Sequence, residues 1–139
     1  MSNAKSNLHI LAEYSNKMDA GDFDAVYEYW SDDFMSHVTE RVSPEMVGKD
    51  IRHKEREFWE TARAAFPDMS FDVDLVLETG DFVVSNWTLK GTHTGAAFFD
   101  VPPSGKPVHI NGTAILRFKD GKVVEHWGGP HCMKGIGLI

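Results

Sequence analysis

The sequence has a single cysteine, Cys132, in 139 residues, so no disulfide can form within the chain. One thiol without a partner is typical of proteins in a reducing compartment, and we expect a cytoplasmic location. No apolar run approaches the ~18 residues of a membrane-spanning helix. No charged segment followed by an apolar one begins the chain, which predicts that the protein is neither secreted nor held in a membrane.

Basic residues are also scarce. Lys and Arg number 14 against 21 Asp and Glu, which gives a net charge of −7 at pH 7. Phosphate groups are bound mainly by Lys and Arg, so this balance argues against nucleic acid and anionic membranes as partners.

The usual cofactor motifs are missing as well. The sequence contains no phosphate-binding loop, dinucleotide fingerprint, zinc-protease motif or nucleophile elbow, and we expect no cofactor. Seven histidines are present, yet no two have the spacing of a local metal site. We therefore predict no metal, and treat histidine as a source of proton transfer near neutral pH.

The chain is predicted to form one domain over residues 5–139, with 1–4 set aside as a cloning remnant or a disordered start. Apolar spacing predicts a helix over 6–20, a second short helix from Asp22 that carries Trp30, and a third from Ile51 to Phe66. A short extended segment, Phe34 to Val38, lies between the second and third helices. Ordinary apolar and charged fractions support a folded core.

The second half reads as strands. Apolar and polar residues alternate over 71–78, where Phe71, Val73, Leu75 and Leu77 would form the buried side of a strand. Further strands are predicted over 82–93, 108–118 and 123–128, with a loop at 94–106 and a tight Asp120-Gly121 turn. Helices first and an antiparallel meander second indicate an α+β fold.

Several side chains are candidates for a binding site. His109 and Asn111 share the polar face of one strand, which could face solvent, a dimer interface or a pocket. The aromatic residues could line a cavity for a flat apolar ligand, or form an ordinary core. For Cys132 we favour a buried, inert thiol. The aromatic candidates are Tyr14, Trp30, Trp59, Trp87 and Trp127.

Three segments together carry a resemblance to a known family. They are Gly91-Thr92-His93-Thr94-Gly95, Val101-Pro102-Pro103-Ser104-Gly105-Lys106, and the stretch from Phe118 to Trp127. Ala65-Phe66-Pro67-Asp68 and Ser31-Asp32-Asp33-Phe34 with His37 fit the same pattern. In this order and spacing, the chain resembles the SnoaL-like polyketide cyclases of the nuclear transport factor two-like superfamily.

The resemblance implies a cone-shaped α+β fold, with three N-terminal helices packed on a strongly bent mixed or antiparallel sheet that encloses a pocket. It also implies a homodimer that forms through the sheet. Cyclases of this family close a ring by intramolecular aldol condensation without a metal or organic cofactor. The implied ligand is a small, apolar carbonyl compound, and positioning and acid–base catalysis would supply the rate.

The sequence departs from the family at the catalytic position. The family's usual Asp, four residues after the last-strand Trp, is His131 here, preceded by an unusual Gly128-Gly129-Pro130. Asp100 stands where the family often has Gly. An imidazole can serve as a base near neutral pH, although a neutral one lacks the charge of a carboxylate.

Two main functions are therefore open: acid–base catalysis of aldol cyclisation or isomerisation, and ligand binding without catalysis. A third is an interaction domain whose pocket is filled by side chains. The candidate catalytic residues are His131, His37 and His93, although structural capping by His37 and backbone hydrogen bonding by His93 are alternatives. The candidate substrate-binding residues are Trp30, Trp59, Trp87, Trp127, Tyr14, His109 and Asn111.

Overall fold

A computed structural model describes residues 5–37, 51–98 and 100–134, with the side chains of Ile51 and of residues 130–134 not described. Eight elements follow in chain order. They are α1 (Asn7–Ala20), α2 (Phe23–Glu28), β1 (Trp30–Ser36), α3 (Ile51–Ala65), β2 (Ser70–Thr79), β3 (Phe82–Thr92), β4 (Pro107–Lys119) and β5 (Lys122–Lys134). Val38 and the segment before Ile51 lie outside the described residues, as does the C-terminus after Lys134.

The helices begin and end where the sequence supplies capping groups. The Ser6 hydroxyl accepts a hydrogen bond from the His9 amide, and Gly21 ends α1 in the left-handed region at φ 75°. The Asp22 carboxylate caps α2 through the Ala25 amide. Pro67 follows α3, as the sequence predicts.

The strands form one mixed sheet in the order β1-β5-β4-β3-β2. Strand β1 runs parallel to β5, and every other neighbouring pair is antiparallel. Irregular register between neighbouring strands occurs at four places: Trp30/Met35, Val73/Leu75, Asn111/Gly112 and Arg117/Phe118. The helices pack on this open sheet, so the predicted α+β class is confirmed.

Two element boundaries and one predicted buried face differ from the sequence prediction. Trp30 begins β1 and does not belong to α2, because it pairs with Val123 and its side chain is buried. Strand β5 does not end at Gly128 but continues to Lys134. Leu75 and Leu77 are each 58% exposed, so the predicted burial of that half of β2 is wrong. The register shift after Val73 separates this part of the strand from the buried Phe71.

The core lies between the helices and the inner face of the sheet. Alternate residues of β3 and β4 face it, including Val83, Trp87, Ile110 and Leu116. Gly112 also lies on this face, because a Cβ there would overlap the Trp87 indole. The absence of a side chain at this position therefore allows the indole to pack directly against the β4 backbone.

Within the part of the chain described, no helix is long and apolar enough to cross a membrane. Cytoplasmic location, homodimer formation and the domain boundaries at 5 and 139 stay predictions.

The close approach of Trp87 to Gly112 can be tested by Gly112→Ala. We expect a loss of about 1–3 kcal/mol in the free energy of unfolding, because the added methyl group overpacks the core. The near-UV circular dichroism should also change, since the indole has to move. Urea unfolding and near-UV spectra measure both effects.

Gly80→Ala is the matched control, because a Cβ at Gly80 meets nothing within 4 Å. Its backbone lies at φ 56°, so strain alone should cost about 1–2 kcal/mol with an unchanged near-UV spectrum. Wild-type stability and spectrum in Gly112→Ala would contradict the packing described.

Candidate functional site

A small, partly open cavity of about 40 Å³ lies between α1, α3, β1 and the inner face of the sheet. This volume holds about two to four water molecules. Its walls are mainly aromatic and aliphatic, with a few polar groups among them. The lining residues are Leu11, Tyr14, Ser15, Trp30, Phe34, Glu55, Trp59, Phe71, Val73, Ser85, Trp87, Ala114, Leu116 and His126.

Two ionisable side chains meet on the wall of this cavity. Glu55 Oε1 lies 3.5 Å from His126 Nδ1, and the two side chains are only 4% and 10% exposed. The Ser36 hydroxyl donates a hydrogen bond to the same carboxyl oxygen over 3.3 Å. A carboxyl group this deep needs such partners, because an unpaired buried charge costs several kcal/mol.

Three elements bring these groups together. Glu55 lies on α3 one turn before Trp59, so both side chains project from the same helix face towards the cavity. His126 pairs with the inward-facing Leu116 across β4 and β5. Ser36 pairs with His126 across the parallel strands β1 and β5.

Sequence reasoning missed this pair, although a signal for Glu55 was present. The apolar face of the third helix runs through Ile51, Trp59, Ala62 and Phe66, and Glu55 falls in the same series. A charged residue on an apolar helix face needs a buried partner. Nothing in the spacing identifies that partner, because His126 lies 71 positions further along the chain on a strand.

Aromatic rings pack edge to face and in parallel around the cavity. Trp59 contacts the rings of Phe71 and Trp87 at centroid distances of 5.4 and 5.9 Å, and those two rings stack at 5.7 Å. On the other side, Trp30 stacks on Phe34 at 5.8 Å. These contacts fix the shape of the cavity and limit its volume.

A larger open groove of about 510 Å³ adjoins the cavity between α1 and β2. Leu11, Ser15, Phe71 and Val73 line both spaces and form the wall between them. A ligand body seated in the groove would therefore lie directly against the cavity that holds Glu55.

The structure separates the predicted substrate-binding residues into two groups. Tyr14, Trp30, Trp59 and Trp87 line the cavity, and their contact with substrate stays a prediction.

The other three are not among the cavity-lining residues. His109 is exposed. The amide of Asn111 donates to Asn86, to Thr88 and to the Trp87 carbonyl. Trp127 stacks on His37 instead.

His37 lies on the opposite side of β1 from Ser36 and takes part in a cluster outside the cavity. Its ring stacks on Trp127 at 4.8 Å, and its Nε2 lies 2.8 Å from Glu125 Oε2. Arg117 Nε donates to the other Glu125 oxygen over 2.9 Å. The hydrogen bond from His37 is the main cause that holds the pKa of Glu125 below its usual 4.5. Partial burial raises this pKa, and the contact with Arg117 lowers it further.

His93 is fully buried and is bonded to backbone. Its Nε2 donates to the Ala96 carbonyl over 2.8 Å, and its own backbone pairs with Gly105 and Lys106. The ring packs edge to face on Phe66 at 5.2 Å. These contacts support the structural alternative for His93, which closes the loop after β3.

The backbone of His131 lies within β5, between Pro130, which pairs with Gly112, and Cys132, which pairs with Asn111. His131 is thus the extra residue of a bulge. The direction of its side chain, and the predicted burial of the Cys132 thiol, lie outside the described residues.

Asp100, which stands where the family often has Gly, adopts φ 63°. The left-handed backbone accounts for the glycine preference at this position, and Asp is one of the residues that tolerate it.

In the described part of the chain, no three His, Cys, Asp or Glu side chains come together as a metal site. The absence of a metal and of a cofactor stays a prediction.

The SnoaL-like polyketide cyclase profile matches residues 9–133, and the chain belongs to this family. Among curated proteins, no sequence matches it. IdmH, a candidate polyketide cyclase from Streptomyces antibioticus, is 28% identical with a TM-score of 0.77, and the match covers 91% of this chain and 93% of IdmH. AclR, a candidate hydroxylase from Streptomyces galilaeus, is 27% identical with a TM-score of 0.76, over 89% of this chain and 77% of AclR.

A candidate polyketide cyclase from Acidithiobacillus ferrooxidans shares the fold at 24% identity, with a TM-score of 0.68 over 94% of this chain and 92% of the other. These likenesses confirm the cone-type fold of the nuclear transport factor two-like superfamily that the sequence resemblance implied.

The Glu125 cluster predicts a pH-dependent contribution to stability. Because the folded pKa of Glu125 lies below 4.5, its contribution is complete above pH 4.5 and is lost as the pH falls through the folded pKa. Glu125→Gln should lower the free energy of unfolding by about 1 kcal/mol at pH 7. Urea unfolding from pH 7 to pH 3 should show this difference shrink.

Glu78→Gln, on the exposed part of β2, provides the control and should leave the free energy of unfolding nearly unchanged at every pH. A Glu125→Gln deficit that persists undiminished at pH 3 would argue against the electrostatic origin.

Proposed function

We propose that this protein binds a small, apolar carbonyl compound and catalyses proton transfer next to the carbonyl without a cofactor, in an aldol cyclisation or an isomerisation. The observation that carries this proposal is the contact of Glu55 with His126 at 3.5 Å on the wall of a mainly apolar cavity. Family membership adds the expectation of polyketide-like carbonyl chemistry.

The pair can both accept and return a proton. In the first step, the C–H bond next to the carbonyl breaks, the proton goes to the Glu55–His126 pair, and the electron pair forms an enolate. In an aldol cyclisation, the enolate carbon bonds to a second carbonyl of the same molecule, and the new alkoxide takes the proton back. In an isomerisation, the proton returns to a different carbon. Atoms and electrons balance in both cases, so no oxidant or reductant is needed.

The carboxyl group of Glu55 can take the place of the family's usual catalytic Asp, whose position is occupied by His131 in this chain. The family's usual acid–base Asp is absent from this chain, and Glu55 places a carboxyl on a different element at the cavity wall. His131 remains the candidate that the resemblance implies, and the experiment below separates the two.

Ligand binding without catalysis is the alternative, because the open groove offers room for a ligand that stays outside the cavity. About 40 Å³ cannot hold a whole carbonyl compound, so only its reacting end would enter while the body occupies the adjoining groove. The family fold alone does not decide, since one similar structure is described as a candidate cyclase and another as a candidate hydroxylase.

Proton transfer can be measured without knowing the natural substrate. We expect the protein to accelerate hydrogen–deuterium exchange at the carbon next to the carbonyl of 2-acetylnaphthalene and of aryl β-keto esters, followed by NMR in D₂O. Glu55→Gln and His126→Gln should each lower the exchange rate by about 10²–10⁴-fold, the usual range for a general acid or base. Thermal shift should show that both variants still bind the ketone.

His9→Gln is the matched control, because His9 is an exposed histidine on α1 whose side chain is 57% exposed. Its exchange rate should equal that of the wild type. If His131→Ala abolishes exchange while Glu55→Gln and His126→Gln do not, the base is His131 and not the buried pair. Ketone binding with no acceleration by the wild type would instead identify a binding protein.

A further inference from the structure

Two residues that line the cavity each carry a buried polar atom without a hydrogen-bond partner in the described part of the chain. These atoms are the indole Nε1 of Trp59 and the hydroxyl of Ser15. A buried polar group left unpaired destabilises the folded protein, and native proteins contain few of them. Arg52 Nε, Arg63 Nε and His93 Nδ1 also lack a partner in the described chain, but their residues do not line the cavity. Trp59 and Ser15 do, and a group bound in the cavity can satisfy them.

The Trp59 ring is held in place, so its N–H cannot turn to find a protein acceptor. The side chain is 5% exposed and is packed against Phe58, Phe71 and Trp87, with ring centroids 5.1 to 5.9 Å away. An indole nitrogen only donates, so its missing partner must be an acceptor. Ser15 makes no hydrogen bond to the Leu11 carbonyl one turn earlier, which a helical serine commonly does.

We infer that the Trp59 N–H and the Ser15 hydroxyl form the subsite that receives the carbonyl oxygen of the ligand. This inference rests on the proposed function and assigns the orientation of the substrate in the same cavity. Trp59 lies one helical turn after Glu55 on α3, so the donor and the proton-transfer group face the same space. Ser15 lies on the wall shared with the groove, where the ligand enters.

The subsite suits a neutral carbonyl better than a carboxylate or phosphate. Among the described residues that line the cavity or the groove there is no Lys or Arg, whereas Glu55, Asp19 and Asp72 are present. His126 can carry a positive charge but already faces the Glu55 carboxylate, so a permanent anion would be buried without a free counter-charge, which is costly. A carbonyl oxygen enters uncharged and gains negative charge only as the proton leaves, when the two donors stabilise it most.

The test compares two ligands of the same shape that differ in the acceptor oxygen: 2-acetylnaphthalene and 2-ethylnaphthalene. Trp59→Phe keeps an aromatic ring and removes the N–H, and Ser15→Ala removes the hydroxyl. Each should weaken ketone binding relative to hydrocarbon binding by about five- to tenfold, the effect of one lost hydrogen bond. Equilibrium dialysis gives both affinities, and the ratio cancels any change in packing.

Tyr29→Phe is the control, because it removes a hydroxyl that bonds Glu13 outside the cavity lining. Its affinity ratio should match that of the wild type. The carbonyl stretching frequency of the bound ketone provides a second readout: it should be lower in the wild type and rise in Trp59→Phe.

Equal affinity ratios in Trp59→Phe, Ser15→Ala and the wild type would overturn the inference, as would failure of the wild type to bind the ketone. Equal ratios would mean that the two atoms hold only water or serve packing. Failure of the proposed function has a different signature, namely exchange rates that do not depend on Glu55 or His126. The affinity ratio requires no turnover, so the two outcomes can be told apart.

Discussion

A carboxyl group inside an aromatic core is the constraint on which the arrangement of this protein depends. Glu55 is 3% exposed, so its carboxyl group has to find polar partners inside the protein. Ser36 and His126 are two of them, and each comes from a different strand. The pairing of β1 with β5 and the docking of α3 on the sheet are therefore both needed to keep this group buried. Buried polar networks of this kind are costly unless their members are satisfied.

The same packing determines how much space remains for a ligand. Trp59, Phe71 and Trp87 form a set of mutual ring contacts that leaves only a small cavity. Gly112 allows Trp87 to lie against the sheet, so the volume depends on one missing side chain as well as on large ones. The groove supplies the room that the cavity lacks, and four side chains form the wall that the two spaces share.

The class of fold and most elements could be predicted from the sequence, because apolar periodicity and turn residues are local signals. Trp30 shows the limit: its spacing fits α2, but pairing with Val123 places it in a strand. Leu75 and Leu77 show a second limit. The alternation of apolar and polar residues predicts a strand with an apolar face, but not whether another element covers that face.

The candidate site was predicted less well than the fold, for a physical reason. The large aromatic residues of the wall stand out by their type, and four of the five proposed from the sequence line the cavity. Histidine is different, because its role depends on which face of a strand it occupies. His37 and Ser36 are neighbours in the chain, yet one stacks outside on Trp127 and the other reaches Glu55.

The position where His131 replaces the family's usual Asp is also a position where strand β5 is irregular. The β5 bulge at this residue follows two glycines with φ of 108° and 141°, so the end of the strand does not follow a regular ladder. A regular strand places alternate side chains on alternate faces, and each irregularity breaks that relation for the residues beyond it. His126 lies before this bulge, in register with Leu116, so its inward position does not depend on it. Its inward position depends instead on the irregularity between Arg117 and Phe118, where Val124 is the extra residue of β5. Val123 and His126 are both buried although they are three positions apart, which regular alternation would not allow. The irregularity at Val124 thus turns His126 towards Glu55, and the one at His131 changes the course of the strand beyond it.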